Sequence, residues 1–87
     1  MTKDRFKQTL HAILDWAEVN GHQYVDMTAG KLHRSVGGYP GTGHRMPMCC
    51  GVMRDEMGPK DLIISQPQKG NGATFDVRYN LPRALSS

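Results

Sequence analysis

The stretch LHRSVGGYPGTGHRMPMCCGVMRDEMG, residues 32–58, carries two short helical patterns on either side of a glycine-rich loop that ends in a histidine and an arginine. Three kinds of site are built on such an arrangement: a phosphate-binding loop, a metal site on the histidines and cysteines, and a helix-turn-helix that reads nucleic acid. The second helical pattern is the best punctuated in the chain. Pro47 stands where a first-turn proline is tolerated, because the amide it lacks would have no intrahelical partner, and Gly58 with Pro59 supplies a stop. A helix is predicted over 47–57, with Cys49, Cys50, Val52, Met53 and Met57 facing inward and Pro47, Gly51, Arg54 and Asp55 outward. In front of the loop, Thr28 is the N-cap expected for a helix over 29–35, with Leu32 and Val36 inward and Gly37 closing it.

Working outward, Phe6, Leu10, Ile13, Leu14 and Ala17 recur at helical spacing over 4–20, with Lys3, Lys7, Gln8, Asp15 and Glu18 off the stripe. Trp16 is expected at the edge of the core. Gly21 ends that helix, and YVDM at 24–27 suits a short strand. After the third helix, DLIISQ and TFDVRYNL read as two strands; in the second, Phe75, Val77 and Tyr79 alternate with Asp76, Arg78 and Asn80, so one face is buried. Between them PQKGNGA makes a hairpin tip slightly longer than the tightest kind. Residues 1–81 are expected to form one domain and residues 82–87 a flexible tail.

Composition bounds the function. Eighty-seven residues with 38% hydrophobic content form one small core with no room for an elaborate catalytic cleft. No apolar run approaches the ~20 residues that cross a bilayer, and the charged N-terminus lacks the apolar stretch of a secretory signal, so no membrane association and a cytoplasmic location are expected. A net charge of +3 is a modest bias toward polyanions. Cys49 and Cys50 are adjacent, a placement that rarely bridges, and are read as reduced thiols.

The chemical alternatives fall on spacing. Residues 38–43 have the glycine spacing of a P-loop, but His44 and Arg45 stand where lysine and Ser/Thr would hold phosphate and magnesium, and the loop follows a helix where that motif needs a strand. Structural zinc takes ligands in pairs such as C-x2-C, whereas neighbouring cysteines on a helix point about 100° apart, so no metal and no cofactor are expected. An activated Cys-His pair needs a third orienting group and a cleft, and Asp55 with Glu56 is expected to be a solvated rim beside Arg54. The domain is therefore expected not to be an enzyme.

For nucleic acid the reading is constructive. The helix over 47–57 would enter the major groove with His44 and Arg45 at its leading end and Met48, Gly51 and Arg54 along its exposed strip. Lys31 and Arg34 would grip phosphates, and the hairpin over 66–73, with Gln68, Lys69 and Asn71, would touch the flanking duplex as a wing. Gly51 costs about 1 kcal/mol relative to alanine inside a helix, explained either by close approach to DNA or by packing on another helix. The predicted order α-β-α-α-β-β, three helices on a small antiparallel sheet in the α+β class, resembles the winged helix-turn-helix superfamily over residues 4–80. More narrowly, LHRSVGGYPGTGHRMPMCCGVMR followed by KGNGATFDVRYNLPR is similar to small bacterial domains joined to HNH-type endonucleases of restriction systems. The resemblance implies recognition of double-stranded DNA, in transcription regulation or restriction, but no cleavage, because the chain carries no nuclease segment. Useful affinity would call for a homodimer or an associated protein partner. The rival expectation is a protein-interaction adaptor or inhibitor on the same fold, which would show an apolar patch on the third helix around Met46 and Met48.

Overall fold

A computed structural model describes residues 2–37 and 45–83. The elements run α1 (Lys3–Val19), β1 (Tyr24–Thr28), α2 (Ala29–Val36), α3 (Met46–Asp55), β2 (Leu62–Ser65) and β3 (Asp76–Asn80). Each helix ends where local chemistry stops it. Thr2 caps α1 by accepting from the Arg5 N–H, and Gly21 beyond it takes a positive φ of 82°. Thr28 caps α2 by accepting the Lys31 N–H at 3.2 Å, and Gly37 closes it with a φ of 114°. Pro47 sits in the first turn of α3 as expected, one residue after its start.

The three strands form one antiparallel sheet in the order β1-β3-β2. Val25 pairs with Tyr79 and Met27 with Val77, so those side chains share the face turned to the helices. Phe6, Leu10 and Leu14 from α1, Leu32 from α2, Cys49, Cys50 and Met53 from α3, and Phe75, Val77 and Tyr79 close one core. The Tyr79 hydroxyl donates to the Met53 carbonyl at 2.8 Å, tying the central strand to α3. The coarse α+β class with three helices and a small antiparallel sheet is thus as expected.

Three features differ from expectation. Trp16 is 63% exposed, because the buried stripe Phe6, Leu10, Leu14, Ala17 turns it to the outer flank of α1, where its ring lies 5.6 Å from that of His22. The connection between β2 and β3 spans residues 66–75 and folds back as more than a tip: the Gly70 N–H donates to Pro67, and the Phe75 N–H to Gly72. Its returning limb docks on the head of α2, where the Ala29 and Gly30 N–H groups donate to the carbonyls of Phe75 and Ala73. Gly30 is needed there, since a Cβ would come within 3.3 Å of Ala73.

Arg83, expected in the tail, is part of the fold. Its guanidinium donates to both oxygens of Asp61 at 2.8 and 2.6 Å and to the Glu56 carbonyl at 2.8 Å, and its N–H donates to Glu18 at 2.8 Å. Asp61 also accepts the N–H groups of Gly58 and Asn80. Residues 84–87 of the expected tail lie outside the described residues.

Candidate nucleic-acid interface

The α3 helix is more deeply set than a freely projecting rod. Met46, Cys49, Cys50, Val52 and Met53 are buried, which leaves Pro47, Gly51 and Asp55 as the outer line. Met48, expected on the exposed strip, is half-buried and packs against the core, and Met46 is buried outright. The third helix therefore offers no exposed apolar patch among the described residues; the exposed large hydrophobic side chains belong to Trp16, Val19, Tyr24, Leu62, Ile63 and Ile64 instead.

Arg54, expected to face outward on the groove-reading strip, is half-buried: its guanidinium donates to the Asn71 side chain at 2.8 Å and to the Gly70 carbonyl, with its charge 4.4 Å from the centre of the Phe75 ring. Asn71 is correspondingly engaged as acceptor. The two residues bolt the 66–75 connection to α3, a charge-assisted arrangement that sets where that connection lies. Gln68 and Lys69 are exposed on the limb so held.

Lys31 and Arg34 are exposed on the outer side of α2, and Arg45 is exposed at the N-cap of α3. His44 lies outside the described residues, as does the glycine-rich segment 38–43. Among the described residues, nothing lies within 4 Å of where a Gly51 Cβ would stand, so none of the described helices packs there. Gly51→Ala is expected to stabilise the fold by about 0.5 to 1 kcal/mol in a denaturant titration. If the backbone is approached by a duplex, the same variant binds it several-fold more weakly; unchanged binding would show that nothing comes close at that position.

The acidic residues follow a pattern that sequence inspection can find by position alone. All eight carboxylates, Asp4, Asp15, Glu18, Asp26, Asp55, Glu56, Asp61 and Asp76, lie outside residues 27–54 and 62–75. Residues 27–54 and 62–75 thus carry Lys31, Arg34, Arg45, Arg54 and Lys69 with no acid among them. Outside those segments four cations face carboxylates: Lys3 pairs with Asp55 at 3.6 Å, Lys7 with Glu56 at 4.0 Å, Arg78 with Asp26 and Arg83 with Asp61. Asp55 and Glu56 accordingly face the α1 cations and His11 where a solvated rim beside Arg54 was expected. The hydrogen bonds from Arg78 hold the Asp26 carboxyl below its usual range.

Both thiols are free and buried. Cys49 donates to the Ala29 carbonyl and Cys50 to that of Gly72. Burial, with the neighbouring Cys50, pushes the Cys49 thiol up to about 12, away from the thiolate that nucleophilic or metal-binding roles require. Among the described residues no three His, Cys, Asp or Glu side chains converge as metal ligands, and no helix is long and apolar enough to cross a membrane. No protein-family model, no curated protein and no solved structure matches the chain.

Proposed function

We propose that this chain is a non-enzymatic double-stranded DNA-binding domain of winged helix-turn-helix type. The element order and the strand order β1-β3-β2 support the fold assignment, with α2 and α3 as the helix-turn-helix and residues 66–75 as the wing. In this reading Lys31 and Arg34 hold backbone phosphates, Arg45 and the Pro47–Gly51 side of α3 meet the major groove, and Gln68 and Lys69 reach the flanking duplex. Arg54, Asn71 and Met48 set the geometry from behind. The observation that carries the proposal is the exclusion of all eight carboxylates from the two segments that Arg54 joins. A surface drawn from segments that carry cations and no acid attracts a polyanion, and it does so with a steep dependence on salt.

The test is a salt series on a random-sequence duplex followed by fluorescence anisotropy. With four to six phosphate contacts, the logarithm of the association constant should fall against the logarithm of salt with a slope of about −4 to −5. Absence of binding at low salt, or a flat response, overturns the proposal. The rival reading, a protein-interaction module, keeps one specific support: the exposed side chains of Trp16 on α1 and Leu62, Ile63 and Ile64 on the edge strand β2. They belong to α1 and β2 and not to α3, so a protein partner would engage elements other than the helix assigned to the major groove.

A further inference from the structure

His33 is a fully buried histidine on α2, and its ring is bonded at both nitrogens. Nε2 faces the Arg45 N–H at 2.9 Å, and Nδ1 faces the Gly37 carbonyl at 3.1 Å. The Phe6 ring from α1 meets it edge-on with centroids 5.0 Å apart. Gly37 and Arg45 are the last residue of the α2 cap and the N-cap of α3, so one imidazole spans both ends of the helix-to-helix connection.

The chemistry of those partners fixes the ring's state. A backbone N–H can only donate and a carbonyl can only accept, so Nε2 must carry a lone pair and Nδ1 the proton. That is the neutral ring in one tautomer. An imidazolium would set N–H against N–H at Arg45 and leave that amide without an acceptor. By accepting the Arg45 N–H, the His33 ring ties the N-cap of α3 to α2.

We propose that His33 is a positioning residue for duplex recognition: as the neutral Nδ1–H tautomer it holds the leading end of α3, and with it Arg45, against α2. This rests on the DNA-binding reading above. Among the described residues, Arg45 at the head of α3 meets the ring, Arg34 follows it on α2, and α1 presents the Phe6 ring.

Two measurements on the full chain test this. Nitrogen-15 shifts of the His33 imidazole in the free protein should show the neutral Nδ1–H form at neutral pH; an Nε2–H tautomer or an imidazolium overturns the proposal whether or not DNA binds. Duplex anisotropy should show affinity about tenfold weaker for His33→Phe, which keeps the packing and loses both bonds, with His33→Gln restoring most of it. Unchanged duplex affinity for His33→Phe, in a protein whose circular dichroism matches that of the wild type, would overturn the proposal. If the wild-type chain binds no duplex, the functional reading fails alone, and the tautomer measurement still decides the anchor.

Discussion

Replacing Asp61 with alanine is expected to destabilise the domain by about 3 kcal/mol in urea or thermal unfolding. The carboxylate is 8% exposed and accepts from the Gly58 N–H at 2.7 Å, the Asn80 N–H at 2.8 Å and the Arg83 guanidinium. Its loss orphans two backbone donors and leaves the Arg83 charge, stacked 5.4 Å from the Tyr79 ring, without its counterion. The effect also depends on pH. Burial pushes the Asp61 carboxyl up, but the bonds from Gly58, Arg83 and Asn80 outweigh it and hold it below its usual range. The unfolded chain therefore binds this proton more readily than the folded one. The stabilisation is full above the unfolded carboxylate value of about 4 and disappears as pH falls through the lower folded value. The alanine variant should unfold with a flatter acid limb than the wild type. A variant within about 0.5 kcal/mol of wild type would mean that Arg83 does not dock as described.

The second large effect is on binding. Reversing Lys31 and Lys69 to glutamate together is expected to weaken duplex affinity about a hundredfold at moderate salt and to flatten the salt slope by about 0.9 for each lost phosphate contact. Both are exposed, one on α2 and one on the wing, so neither change disturbs the core. Lys60→Glu serves as control: Lys60 is also exposed, but it lies outside the acid-free segments and should change affinity only about twofold. Equal losses for Lys60 and for the pair would reduce binding to net charge and remove the case for a defined face. Arg54→Ala separates positioning from contact, since it frees Gly70 and Asn71 and should cost stability as well as affinity.

What the sequence made legible was local. Thr28, Gly21, Gly37 and Pro47 each act within a turn of where they stand, and the helices they bound emerge within about two residues of expectation. The β3 alternation was readable for the same reason, because Val77 and Tyr79 are two residues apart on one strand. Partners distant along the chain were not readable. Arg54 looks like an outward helix residue until Gly70 and Asn71, sixteen and seventeen residues on, arrive beneath it. Phe75 fits the strand alternation, yet it precedes β3 and its backbone bonds go to Gly72 and Ala29. Arg83 falls in a stretch that reads as tail, and the carboxylate that captures it lies twenty-two residues earlier. His33 had no motif around it; its meaning comes from the amide and carbonyl that the turn brings to its two nitrogens. The acid-free segments were visible by inspection and are the sequence signal that most directly marks the candidate face.

The central claim is that α2, the head of α3 and the wing make one duplex-binding face. Amide chemical-shift mapping during titration with a random duplex tests it most directly. Perturbations gathered at residues 31, 34, 45–51 and 68–71, with α1 around Trp16 and the β2 edge at 62–64 silent, are the predicted result. Shifts confined to Trp16 and residues 62–64, or none at Lys31 and Arg45 while the duplex binds, would contradict it.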